Sequence, residues 1–390
     1  MRASAPQQTA PDRPAGDPRR LARRLIAGTA LFTGLALAGG IVVTGSRGER
    51  GEAAAAAAFV PPTDDAALRV IRGRAAQRRG LGSGNAVTLA FNGDVHFEGS
   101  IRARLDASPA RLLDRIAPVL SRADIAIVNL ETAVTERGEA AAKEYVFRAP
   151  ATAFEALRSA GVDVATIANN HGMDYGTTGL LDTLTASRGT GVSLVGGGTD
   201  ADDAYAPRRF SVKGQRIAII GATQVLDSEL AAAWTAGPDR AGLASALDEP
   251  RLVRAVREAR ATSDTVVVYL HWGEELTACP TPSQTSLAAT VVRAGADIVV
   301  GSHAHVPLGA GRFGRALVDY GLGNFVFYSG GGATARTGVL EVTATGRRID
   351  RYSWVPAEIS NGTPSPLTGA AAADAVVGWR ALADCTNLRP

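Results

Sequence analysis

The chain has five histidines in 390 residues, and all of them lie in four short polar motifs: Gly93-Asp94-Val95-His96, Asn169-Asn170-His171, His271-Trp272-Gly273 and Gly301-Ser302-His303-Ala304-His305. Imidazole is the commonest nitrogen ligand for transition metals and the usual acid–base group near neutral pH. Asp94 and His96 stand two residues apart, so on an extended segment they face the same way and can reach one cation. His303 and His305 share that spacing. Asn169, Asn170 and His171 are three consecutive polar groups after an apolar run, and buried polar groups need partners. Singly, each motif has a plain reading: a turn cap, an Asx turn, a rim histidine. Together they point to a metal-centred hydrolytic site. The donors are nitrogen and oxygen with no thiolate, which suits Mn, Fe or Zn better than Ca.

Such residues act together only if the fold gathers them. Apolar runs read as strands at Val87–Phe91, Ile125–Leu130, Val164–Ala168, Ile217–Ile220, Val266–Leu270, Ile298–Val300, Ala316–Asp319, Phe325–Phe327 and Val339–Val342. Amphipathic stretches read as helices at Ala110–Arg122, Ala151–Ala160, Thr178–Ser187, Pro250–Ala261 and Ser283–Ala294, with Pro150 and Pro250 at starts and Gly161 and Gly295 at ends. Strand–helix alternation predicts α/β layers. The late strands lack long intervening helices and predict an antiparallel part, and Lys213-Gly214 reads as the turn of a hairpin. Asp94, Asn129 to Glu131, Asn169 to His171, His271 and His303 to His305 each follow a strand directly. In open α/β sheets ligands bind beyond the carboxyl ends of strands.

The N-terminus has a different character. Residues 1–24 carry six arginines against two aspartates, while the whole chain is only +3. The basic balance therefore belongs to a tail, not to a nucleic-acid-binding face, and nucleic acid is not an expected partner. Residues 25–45 carry no charge and are long enough to cross a bilayer, for which ~20 apolar residues suffice. The arginines before them predict a cytoplasmic tail and a plasma-membrane protein whose remainder is extracellular. Cleavage within the alanine run 53–58 would instead release a secreted domain. Residues 46–84 read as a linker, 85–355 as the ordered domain and 356–390 as a tail docked on it. Cys279 and Cys385 suit either one disulfide of an exported protein or two unpaired thiols. Ser302 and Ser329 lack a nucleophile-elbow context. Gly196 to Gly198, Asp297 and Asp319 read as turn features.

With those motifs in order, the chain resembles the CapA, or polyglutamate-capsule, family of capsule-synthesis proteins. The resemblance runs over about residues 85 to 330. Its text is Gly93-Asp94-Val95, Val128-Asn129-Leu130-Glu131, Ala168 to Gly176, His271-Trp272-Gly273-Glu274, Gly301 to His305 and Tyr320 to Phe325. It implies a calcineurin-like metallophosphatase sandwich of two mixed β-sheets flanked by helices, here preceded by one N-terminal transmembrane helix, and two divalent metal ions. Carried over residue by residue, Asp94, His96 and His305 would hold the first metal, and Asn170, His271 and His303 the second. Glu131 stands where phosphatases place a bridging Asp, one methylene longer. His171 matches a proton donor to the leaving group, with Asp174 to orient it. Arg148, Glu274 and Asn324 are the expected substrate contacts. Many family members carry an apolar residue at the position of His96, so this chain is nearer the phosphatase pattern.

Two functions follow from the resemblance. One is a dinuclear, metal-dependent phosphoesterase-type hydrolase acting on a phosphoester or an anionic envelope polymer, where metals lower the pKa of water and His171 protonates the departing alkoxide. The other is a non-catalytic component of capsule assembly or export that grips polyglutamate carboxylates beside membrane capsule-synthesis proteins. The residues alone do not separate gripping from cutting.

Overall fold

The computed structural model describes residues 80–328 and 331–390. The basic tail 1–24, the apolar span 25–45 and linker residues 46–79 lie outside the described residues. Among the described residues no helix is long and apolar enough to cross a membrane.

The strands of the two large sheets arrive in three batches. The first four are β1 (Val87–Val95), β2 (Ile125–Leu130), β3 (Val164–Thr166) and β4 (Ser193–Val195), all parallel neighbours in that order. The next six build a second sheet: β5 (Arg208–Val212), β6 (Gln215–Thr223), β7 (Thr265–His271), β8 (Ile298–Ser302), β9 (Ala310–Phe313) and β10 (Ala316–Asp319). Its order is β9-β10-β8-β7-β6-β5, parallel in the middle and antiparallel at both edges. The last four return to the first sheet: β11 (Asn324–Val326), β12 (Arg336–Thr345), β13 (Arg348–Ser360) and β14 (Thr363–Pro366). There β12 pairs antiparallel with β1, β13 with β12 and β14 with β13, while β11 joins β1 in parallel. Both sheets are therefore mixed.

Period-two alternation sorts the side chains into layers. Leu89 and Phe91 of β1, Ile125 and Ile127 of β2, and Val267 and Tyr269 of β7 meet in one core between the sheets. Ala90, Ala126 and Val128 face the other way, onto Ile101, Leu105, Phe154, Leu157 and Leu180. Those five belong to α1 (Ser100–Ala107), α2 (Thr152–Ser159) and α3 (Gly176–Ala186). On the second sheet Val266, Val268 and Leu270 meet α4 (Glu249–Thr262) and α5 (Pro282–Ala294). Each fully buried side chain of this size contributes about 1.5–3 kcal/mol, so a one-residue register slip would exchange two cores at once. The helices start as their sequences dictate. Asp248 caps α4 by accepting from the Arg251 amide, and Thr281 and Gln284 form a capping box on α5, satisfying amides that no helical carbonyl can reach.

The helix predicted over Ala110–Arg122 is broken. A 3-10 turn at Pro109–Arg111 and a single helical turn at Ala117–Leu120 take its place. Pro118 has no amide proton and its ring clashes with the preceding turn, so a helix can begin near it but not run through it. Beyond Val355, β13 continues to Ser360, β14 follows, and α6 (Gly369–Ala381) stacks Trp379 on Trp354 with ring centroids 5.3 Å apart. Cys279 and Cys385 form a disulfide that ties the C-terminus to the loop after β7.

Candidate metal centre

The two sheets present different chemistry at the same edge. The first sheet supplies mainly oxygen: Asp94 on β1, Asn129 near the end of β2, then Glu131, and Asn169 and Asn170 after β3, with the His171 imidazole following them. The second supplies nitrogen: His271 is the last residue of β7, and His303 and His305 follow β8. Just beneath them Tyr269 donates its hydroxyl to the Asn92 carbonyl at 2.6 Å, tying one sheet to the other. Gly93 lets β1 approach the loop before β11. A side chain there would collide with the Gly323 carbonyl, which instead accepts from the Asp94 amide at 3.0 Å.

A relay of amides fixes the centre. Asn169 donates to Asn129 Oδ1 at 2.9 Å, and Asn129 Nδ2 donates to Asp94 Oδ1 at 2.8 Å and lies 3.1 Å from His271 Nδ1. With Nδ1 facing this donor, His271 Nε2 turns to Asn170 Oδ1 at 2.8 Å and Glu131 Oε1 at 3.4 Å. A proton or a cation on Nε2 therefore meets two oxygens. Asp94 Oδ2 accepts from the His303 amide at 3.2 Å and stands 3.3 Å from His305 Nδ1, which is also 2.8 Å from Asn324 Oδ1. His303 and His305 both take positive φ, 96° and 57°, uncommon for residues with a side chain and typical of strained functional positions.

Glu131 is the group that asks for a cation. Its side chain is fully buried, yet neither carboxylate oxygen accepts a hydrogen bond. Burial, reinforced by the charge of Asp94, raises its pKa well above the usual carboxylate range. His303 Nδ1 is likewise buried without a partner. Burial, reinforced by His305, lowers the His303 pKa to about 4. Burial, with help from His303, holds His271 well below its ordinary value. Neutral imidazoles beside an unsatisfied carboxylate are the donor set of a divalent cation. The donor atoms of Glu131, His271 and His303 lie within 4.8 Å of one another, as do those of Asp94, Glu131 and His305. Glu131 belongs to both groups. His305 is the exception in charge: burial lowers its pKa, but the Asp94 hydrogen bond and Glu131 outweigh this and push it up to about 9.

Among known proteins, residues 88–329 match the family model of the bacterial capsule synthesis protein PGA_cap. The chain belongs to that family. The capsule biosynthesis protein CapA of Bacillus anthracis is 31% identical over 291 residues, covering 73% of this chain and 70% of that one. The PGA biosynthesis protein CapA of Bacillus subtilis is 29% identical, covering 73% and 75%. A putative 5'-nucleotidase from Staphylococcus aureus, of solved structure, is 15% identical with a TM-score of 0.43, covering 77% of this chain and 58% of that one. That last likeness is too loose to speak to chemistry.

In this PGA_cap member the remaining expected residues fall in distinct places. His96 lies beside the centre but outside both donor groups. Its Nδ1 accepts from the Glu98 amide at 3.0 Å, and its ring packs against Phe147, Phe327 and Tyr328. Burial, with His171 and His305, lowers its pKa well below the ordinary value. His171 stacks on Phe147 at 4.0 Å and bonds through Nδ1 to Asp174 Oδ2 at 2.6 Å, leaving Nε2 without a hydrogen bond among the described residues. Burial lowers the His171 pKa against the opposing pull of Asp174. Arg148 lies over the Tyr175 ring at 3.6 Å and donates to the Arg137 carbonyl at 3.1 Å, so much of its guanidinium is already engaged. Asn324 joins the centre through His305. Glu274 is exposed; its neighbour Glu275 is the one whose carboxylate lies with His303 and His305.

Sequence reasoning missed Lys143. Its side chain is 9% exposed, pairs with Asp174 at 3.0 Å and Asp227 at 3.4 Å, and donates to the Asn170 carbonyl. It thus holds both the His171 orienter and the Asn170 loop. A signal was present: the chain has only two lysines among its 41 basic residues, and this one stands just before Phe147-Arg148.

Proposed function

We propose that the chain is a cation-dependent hydrolase of the metallophosphatase type that acts on an anionic polymer or phosphoester of the cell envelope, outside the membrane. The observation that carries this reading is Glu131, a buried carboxylate without donors where the groups of four other potential ligands, Asp94, His271, His303 and His305, meet. The Bacillus relatives, named for capsule and PGA biosynthesis, suggest the polymer. The disulfide supports export, because such bonds persist in oxidising compartments.

Asp94, Glu131, Asn170, His271, His303 and His305 would hold two divalent ions, Mn, Fe or Zn, with His96 in support of the first. Bound ions supply Lewis acidity and water of lowered pKa. The rest of the work belongs to the protein. Asn129 and Asn169 fix the orientation of Asp94 and His271. Asp174, itself held by Lys143 and the Phe147 amide, keeps the His171 proton on Nδ1 and Nε2 open, so that a protonated His171 can deliver a proton to a leaving oxygen. Phe147 stacks on that imidazole and on His96, whose ring also packs against Phe327 and Tyr328.

Those same relatives favour a second reading, in which the centre grips polymer carboxylates and cuts nothing. Metal analysis and phosphodiester hydrolysis by the full chain, His171→Ala and His271→Ala separate the two. The hydrolase reading expects His271→Ala to lose metal and turnover, and His171→Ala to keep metal and lose turnover. Metal binding with polyglutamate affinity but no turnover in the wild type favours gripping, and a wild type that takes up no metal defeats both.

A further inference from the structure

We propose that Glu275 is a further cation ligand, set beside His303 and His305 and held there by the Cys279–Cys385 disulfide. The inference rests on the cation-centre reading above and adds a donor that neither the sequence motifs nor the family resemblance supplies. The Glu275 carboxylate and the donor atoms of His303 and His305 lie within 4.8 Å of one another. An exposed carboxylate near histidines is ordinarily an accident of a mobile side chain, and three observations separate this one from that case.

First, the group it approaches wants a partner. His303 is only 6% exposed and its Nδ1 is buried without a hydrogen bond. Second, Glu275 has no competing attachment: no lysine or arginine pairs with its carboxylate among the described residues. Third, its backbone is fastened on both sides. The next residue, Leu276, donates its amide at 2.8 Å to the carbonyl of Ala304, the residue between the two histidines, and takes a positive φ of 58° to do so. On the near side, Gly273 turns with φ 97° where a side chain would collide with Gln284. Beyond it the loop is closed by the disulfide, whose Cα atoms are 5.7 Å apart and whose partner lies 106 residues away. A left-handed leucine is a sparsely populated backbone conformation that persists only where its surroundings enforce it. The bridge and the Ala304 bond provide that enforcement, and the residue they position is Glu275.

The test is binding, not turnover. The full chain is titrated with MnCl2 while electron paramagnetic resonance reads free Mn2+, for wild type, Glu275→Gln, Glu274→Gln and the pair Cys279→Ser with Cys385→Ser. Loss of a carboxylate donor should weaken one class of Mn2+ sites at least about tenfold, the lower end of what supporting partners contribute to metal sites. Glu274→Gln should superimpose on wild type, and the serine pair should shift the same way as Glu275→Gln by a smaller factor. If the serine pair does not fold, native protein that has been reduced, alkylated and desalted takes its place. A Glu275→Gln curve superimposed on wild type overturns the ligand. A weakened Glu275→Gln beside an unshifted serine pair or reduced protein overturns the tether. A wild type that binds no Mn2+ overturns the cation centre itself, and the inference with it.

Discussion

Two buried carboxylates stand at opposite ends of the second sheet's neighbourhood, and they have been treated very differently. Asp297 precedes β8 at its amino end and is fully buried. It accepts from Arg260, from the Val266 amide at 3.0 Å and from Arg347 Nε at 3.0 Å. The fold supplies everything this charge lost on leaving water. Glu131, at the carboxyl edge where the two sheets meet, is equally buried and receives no hydrogen bond at all. A protein able to compensate one carboxylate so fully and not the other has left room for a partner from outside. Burial alone does not mark a functional carboxylate; burial without compensation does.

The sharpest way to break this comparison is to remove Asp297. Asp297→Ala would leave the guanidiniums of Arg260 and Arg347 without their partner, and breaking a buried charge pair costs about 3–5 kcal/mol. Urea unfolding should show that loss equally with and without divalent cation. A change below about 1 kcal/mol would mean that the network is surface-like and the contrast with Glu131 empty. Next in size is the cation itself. A ligand that binds only the native state at a hundred times its dissociation constant adds about 2.7 kcal/mol. Mn2+ or Zn2+ should therefore raise the melting temperature of the wild type and of Asp297→Ala alike, and a chelator should reverse it. His271→Ala should show neither effect, since His271 Nε2 faces both Glu131 and Asn170.

Much of this is legible in the sequence. Most parallel strands were visible because buried strands read as unbroken apolar runs, β4 excepted because only Leu194 and Val195 of its three residues are apolar, and the site because its polar residues interrupt the text directly after those runs. What stayed hidden depended on through-space compensation. Nothing in the local sequence distinguishes Asp297 from a turn cap, because Arg260 and Arg347 reach it from a helix and a hairpin. Glu274 and Glu275 are adjacent and alike, and only the turn at Leu276 decides which approaches the histidines. The pairing of Cys279 with Cys385 needed a Cα separation that spacing cannot give. β13 and α6 were missed because charges and Pro356 break the apolar pattern of the one, and the other is an alanine-rich helix with only Trp379 buried.

Glu131→Gln sharpens the contrast from the other side. The raised pKa of Glu131 sets the sign: stability is fully present below the unfolded value near 4.5 and is lost as pH rises through the folded value. Cation-free wild type should therefore lose stability on going from acid to neutral pH, and Glu131→Gln should lose less. An uncompensated buried polar group costs about 1–3 kcal/mol, so the variant should be more stable by an amount of that order at neutral pH without cation. The order should invert when cation is added. Equal pH profiles would mean that Glu131 finds its compensation inside the fold.

Asp319 lies between the two extremes and should give the smallest effect. It ends β10 fully buried, with Oδ1 accepting from the Gly321 amide at 2.9 Å and Oδ2 without a partner. Burial raises its pKa well above the usual range, against the pull of that amide. The sign matches Glu131, with stability present below the unfolded value near 3.8 and lost as pH rises through the folded one. Asp319→Asn keeps the Gly321 bond through its carbonyl oxygen and removes the charge. It should stabilise the protein by about 1 kcal/mol at neutral pH, the size of a single hydrogen-bond adjustment, and make little difference near pH 3. Because Asp319 shares no donor group with the histidines, divalent cation should shift variant and wild type equally. A cation response altered by Asp319→Asn would extend the centre to this carboxylate and erase the line between the half-satisfied group and the unsatisfied one.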